Sequence, residues 1–171
     1  MFNYCRKEKC MSPLHEGLIK ELQVTEEFFL RTIEPLTDAD AEYRPHGDAF
    51  TVMAMLHHVA HSVIWFVDGA FRRSDGFAMN FDEMDATSRE QHDFSAAKQA
   101  VSDAFADARA VIGDQTEEEL YAPLPEGPIM GGAPRLAIVS GIVDHTAHHR
   151  GALSVYIRLL GKVPPMPYGD A

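Results

Sequence analysis

Apolar residues recur at steps of three and four along four stretches of the chain, separated by polar segments rich in Pro, Gly and Asp. That period is the signature of amphipathic helices with one face turned to a core. The first helix is expected over residues 13–34, with Ser12 as N-cap, Pro13 at the first helical position and Pro35 as its stop. Its stripe is Leu18, Leu22, Thr25, Phe29, Thr32 and Ile33, and His15 in its first turn reads as solvated. The second is expected over 51–73, opening at Thr51, and is apolar nearly all the way round. The third, 89–112, turns Phe94, Ala97, Val101, Phe105 and Ala108 inward and stops at Gly113, with His92 exposed in its first turn. The fourth, 134–160, starts at Pro134 and closes on Gly161. An all-α four-helix bundle with long connecting loops follows, as a single domain over 1–171 with an irregular leader (1–11) and tail (162–171).

The connections are long for helix-to-helix links: 36–50, 74–88 and 114–133, the last with one turn near 116–120. Such lengths imply crossovers within the bundle or loops that cover a site. In the second connection Asp82, Glu83 and Asp85 lack the spacing of a calcium loop and read as solvated surface.

Two positions of the fourth helical stripe break its chemistry. Ile138, Ile142, His145, His149, Ala152, Tyr156 and Leu160 share one face, and two of them are histidine. Histidines four apart on a helix lie about 5–6 Å apart at Cβ, so their rings can converge on one ion. Burying imidazoles in place of aliphatic side chains costs free energy unless their nitrogens find partners, and a divalent metal satisfies both. The second helix offers a further ligand among His57, His58 and His61. Spacing leaves the choice open, since His57 and His61 form their own i, i+4 pair while His58 lies in line with Met55 and Trp65.

Composition narrows the function classes. A formal charge of −11 argues against a nucleic-acid surface. The apolar runs are too short and too often broken by charge to span a membrane, and the start of the chain lacks the apolar core of a signal peptide, so a cytoplasmic protein is expected. Cys5 and Cys10 read as free thiols in a basic leader. Because the second helix is apolar on two faces, one face is expected in the core and the other against a second subunit, giving a homodimer. No glycine-rich phosphate loop or nucleophile elbow is present in the sequence.

Four sequence features carry a family resemblance: P-H-x-x-x-x-T from Pro45 to Thr51, the run from His58 to Trp65, H-x-x-H-H-R-G from His145 to Gly151, and the ending LLGKVPPMPYG. With them the chain resembles the DinB/YfiT-like superfamily of metalloenzymes over almost its whole length. The resemblance implies a metal held by His58, His145 and His149, with His57, His61 and His148 as neighbours or alternative ligands, and it implies a homodimer. Asp144, beside His145, is placed to orient a ring from behind, although its direction on the helix favours a surface pair. Ala152 stands where the family often has Gln. Three imidazoles leave a coordination position open, as catalytic sites do, and zinc, nickel or iron(II) suits such a set. Arg150 is expected to hold a carboxylate or carbonyl of the fold.

Two classes of function follow. One is a metal-dependent enzyme, of S-transferase or isomerase type if the metal activates a low-molecular-weight thiol, or a hydrolase if it activates water. The other is a non-catalytic metal-binding protein of stress-related interactions. A pocket beside the metal lined by loop residues such as Tyr43 or His46 favours the first; a closed site with His61 or His148 as fourth ligand favours the second.

Overall fold

The structure, a computed structural model, describes residues 11–90 and 92–169. Cys5 and Cys10 lie outside them. Four long helices form the body: α1 (Pro13–Ile33), α2 (Val52–Val67), α4 (Phe94–Asp114) and α6 (Ile138–Leu159). Two short ones, α3 (Phe81–Arg89) and α5 (Glu117–Tyr121), are set into the connections. Among the described residues no strand forms beyond an isolated bridge between Pro123 and Pro134.

Each of α1 and α2 packs on both α4 and α6, so α1 stands diagonally across the bundle from α2, and α4 from α6. The lengths of the first and last connections have their cause here, because both join diagonal helices. Phe29, Leu22, Ile33, Leu56, Phe105, Ile112, Ile142, Leu153 and Ile157 fill the centre with essentially no exposure.

The helix signals in the sequence land close to the observed ends. Thr51 caps α2 by accepting from the Ala54 amide, and past Val67 the chain continues in a π-helical turn, Asp68–Arg72. Gly161 follows α6 at a φ of 75°, where a side chain would be strained. Four details differ. Pro134 opens a 3-10 turn, Arg135–Ala137, and α6 itself begins only at Ile138. The third long helix begins at Phe94 under Asp93, whose carboxylate accepts from the Ala96 amide, so His92 precedes it and is exposed; Gly113 lies inside it. The stretch 74–88, read as a loop, holds α3. His15 is buried rather than solvated, for a long-range reason. Its Nε2–H donates to the Gln115 carbonyl at 3.0 Å, which leaves Nδ1 to accept from the Ser12 hydroxyl at 2.9 Å, so one ring ties the start of α1 to the end of α4.

Both apolar faces of α2 are covered within the chain, by α4, by α6 and by α3. Its burial therefore requires no second subunit. The tail is irregular but tethered: the Arg31 guanidinium donates to the Gly169 carbonyl at 2.8 Å, and Lys162 pairs with Asp40 and donates to the Pro35 carbonyl.

The approach of α6 to α2 depends on a glycine. A Cβ on Gly141 would lie 2.7 Å from Cε1 of Phe66, a ring already wedged against Trp65 and Phe77. Overpacking of this kind costs about 1–3 kcal/mol, against roughly 1 kcal/mol that Ala gains over Gly in a helix. Gly141→Ala is expected to lower stability by a net amount on the order of 1 kcal/mol, read as a shift of the urea midpoint.

A candidate three-histidine metal centre

Packing of α2 on α6 brings together three rings from positions far apart in sequence. His145 and His149 lie one turn apart on α6, and His58 faces them from α2. The ring centroids are 4.5 Å apart for His145 and His149, 5.1 Å for His58 and His145, and 4.7 Å for His58 and His149. One nitrogen from each lies within 4.8 Å of the other two. Among the described residues this is the group of side chains placed to hold an ion.

The contact between His145 and His149 tests whether a metal fits. Their Nε2 atoms are 3.2 Å apart. Two imidazole nitrogens bound tetrahedrally at 2.0–2.1 Å from one ion would be about 3.3 Å apart. Without an ion, one of the two must carry its proton toward the other, and the buried Nδ1 atoms of His58 and His149 have no hydrogen-bond partner among the described residues. Burial first, and the neighbouring imidazoles second, push His149 down to about 3 and His145 to about 4. His58 is lowered too, again by burial, with the Asp85 carboxylate pulling partly the other way. All three are therefore neutral at pH 7, the state in which imidazole binds metal. Donor type, spacing and protonation all fit a divalent ion.

The other four residues expected near the site stay out of the cluster. His57 is buried with an unpartnered Nε2, its ring 6.0 Å from that of His61. His61 points to Ser88 at 3.1 Å; since the Ser88 hydroxyl already donates to the Met84 carbonyl, His61 Nδ1–H is the donor. His148 is exposed, its ring against the edge of His149 at 4.8 Å, and Asp144 is exposed. Among the described residues Arg150 holds no acidic group or backbone carbonyl but donates to the Tyr168 hydroxyl at 2.8 Å and lies against the Phe28 and Tyr168 rings.

A cavity of about 130 Å³ opens beside the rings, lined by His58, Ser62, Trp65, Phe81, Asp85 and His145, among others. Its outer wall is α3 and not the first loop. Tyr43 instead packs edge-on against Tyr156 at 6.0 Å, and His46 is exposed. A wider groove, about 610 Å³ between α1 and α4, is lined by none of the histidines. Asp85 is the neighbour that the sequence pattern concealed: its Oδ1 lies 3.6 Å from His58 Nδ1.

With this geometry in view, the match to known proteins is decisive at the level of family: the DinB family matches residues 11–171. The chain belongs to the DinB family. No curated protein matches this DinB chain by sequence. Among solved structures it is similar to YfiT from Bacillus subtilis, described as a probable metal-dependent hydrolase with an unusual four-helix bundle topology. Identity there is 15% and the TM-score 0.69, over 90% of this chain and 92% of that one. A mycothiol-dependent maleylpyruvate isomerase gives 11% identity and a TM-score of 0.67 over 80% of this chain, which spans 59% of that protein. A DinB-like protein of Bacillus subtilis, YjoA, gives 16% and 0.59 over 93% of this chain and all of that one. These likenesses are of fold: a four-helix bundle of the same topology class. Among the described residues no helix of this DinB protein is long and apolar enough to cross a membrane.

Proposed function

We propose that this DinB protein is a metal-dependent enzyme in which His58, His145 and His149 hold one divalent ion, and that it acts on a small electrophile with a low-molecular-weight thiol. The observation that carries the reading is the convergence of three neutral imidazoles beside a cavity of about 130 Å³. A first-row ion held there supplies Lewis-acid chemistry, lowering the pKa of a thiol or water that binds in its open position. The chain's own residues do the rest. Trp65, Phe66, Phe81 and Met84 give the cavity an apolar wall that limits water, and its size admits the reacting end of a molecule and not a whole cofactor-sized thiol, since sites for such ligands run to about 300–1,000 Å³. The remainder of a thiol would lie outside it.

Hydrolysis is the variant reading, supported by the likeness to a protein described as a probable metal-dependent hydrolase. The non-catalytic alternative requires a closed site, and the cavity argues against it. A homodimer and a cytoplasmic location belong to the same proposal, the dimer now on family resemblance alone because α2 is covered within the chain.

The test compares zinc-loaded, nickel-loaded and chelator-stripped protein on a panel of activated electrophiles with and without simple thiols, beside a sizing column. Thiol-dependent turnover in the loaded protein alone is the expected result. Turnover of esters or amides without thiol makes it a hydrolase; no turnover with full metal occupancy rejects the enzyme reading.

A further inference from the structure

The helix hidden in the second connection lies against the wall of the histidine cluster, and its inward face carries one carboxylate. Phe81, Met84, Asp85 and Ser88 recur at i, i+3, i+4 and i+7, so they share a side of α3, which packs on α2. Both ends of that helix are pinned. Ahead of it, the Trp65 indole N–H donates to the Ala78 carbonyl at 2.7 Å, and the Trp65 ring contacts Phe77 and Phe81 at 4.7 and 5.7 Å. At its end Ser88 is fully buried against His61, and the Arg89 guanidinium donates to the carbonyls of Asp48 and Ala49 while lying 4.3 Å over the Phe50 ring. Phe50 in turn packs on His58 at 4.9 Å.

Between these anchors Asp85 holds Oδ1 3.6 Å from Nδ1 of His58. That Nδ1 is buried and has no hydrogen-bond partner among the described residues. A buried imidazole N–H left unpaired costs free energy, and a carboxylate one step beyond hydrogen-bond range is the group that a small shift would bring to it. Asp85 itself lies outside the set of ligand atoms that converge, which contains the three histidines alone among the described residues.

We propose that Asp85 is a positioning residue for His58. Its carboxylate accepts from Nδ1–H and fixes the tautomer with the proton on that nitrogen, so Nε2 keeps the free lone pair for the ion. The hydrogen bond also sets the ring's rotation and raises its basicity as a ligand, the role that outer carboxylates play behind metal-bound histidines. The inference rests on the metal reading above. It adds that α3, a segment outside the bundle core, tunes the affinity of the site.

Zinc affinity, read by competition with a chromogenic chelator, tests this in the full chain. Asp85→Ala is expected to weaken zinc binding about 10- to 100-fold, with the stoichiometry of one and the melting temperature of the metal-free protein unchanged. Asp85→Asn, which keeps an acceptor, falls between Asp85→Ala and wild type. Asp82→Ala removes the same charge from the same helix on its exposed side and leaves the affinity as it was. In the cobalt(II)-loaded protein, Asp85→Ala shifts the visible d–d bands, which a loss of general stability would not do. Equal zinc affinities for Asp85→Ala and wild type, or equal losses in Asp85→Ala and Asp82→Ala, overturn the role of Asp85 and leave the metal site standing. A wild type that binds neither zinc nor cobalt overturns the metal reading and this assignment with it.

Discussion

His149→Ala and His145→Ala are each expected to abolish stoichiometric binding of a divalent metal, whereas His57→Ala is expected to retain it. With three imidazoles as the whole protein contribution to the site, removing one leaves two ligands, and the loss exceeds the roughly 10–100-fold that removal of an outer partner costs. The α6 pair carries the sharpest version of the test because its Nε2 atoms are only 3.2 Å apart. His58→Ala is expected to lose binding as well. His57 and His58 are adjacent in sequence and both sit on α2, so the contrast between their variants reads geometry and not composition. Elemental analysis of untagged protein, loaded with zinc and dialysed, gives the answer in moles of metal per chain, with circular dichroism confirming that each variant folds. Full occupancy in His145→Ala or His149→Ala rejects the assignment, and metal kept by His58→Ala but lost by His57→Ala moves the α2 ligand one position.

The limits of the sequence have physical causes that can be assigned residue by residue. Four helices were legible because each long stripe meets the core on a regular period, and Pro13, Thr51 and Gly161 punctuate three of them. The same logic failed on α2 for the ligand. A helix buried nearly all round has no preferred face, so period alone could not separate His58 from His57 and His61, and the family resemblance named the one that the fold brings to His145 and His149. α3 was missed because its inward face has only one fully buried residue, Ser88, amid Asp, Glu and Thr. Asp85 was accordingly read as solvated, although it faces His58. His15 was missed for a different reason: its partner, the Gln115 carbonyl, is 100 residues away and nothing local announces it.

Acid is expected to unfold the metal-free protein earlier than its carboxylates alone would. His149 and His145 are held near 3 and 4 by burial first and by neighbouring imidazoles second, against an ordinary value of 6.5. His57, His58 and His61 are lowered in the same direction, by burial. Between pH 6.5 and about 4 the unfolded chain therefore binds protons that the folded chain refuses. Stability rises with pH wherever the unfolded state binds more protons, so it is complete above 6.5 and is lost as pH falls through this window. Each fully shifted histidine contributes a slope of up to about 1.4 kcal/mol per pH unit, and the shared repulsion between His145 and His149 is counted once for the pair. A loss on the order of 1–3 kcal/mol between pH 7.5 and 5.0 is expected, measured by urea unfolding in the presence of chelator. Most carboxylates titrate near pH 4, so that interval reports mainly on histidine. The double variant His145→Ala/His149→Ala flattens the profile, which ties the slope to these two rings. If the site takes zinc as proposed, saturating zinc is expected to raise the whole curve at neutral pH, by about 2.7 kcal/mol at a hundredfold excess over the dissociation constant, and the gain to disappear on acidification as protons displace the ion. A urea midpoint unchanged from pH 7.5 to 5.0 in the wild type would mean that these imidazoles protonate as freely in the folded protein as in the unfolded one, and a cluster packed this closely could not then exist in solution.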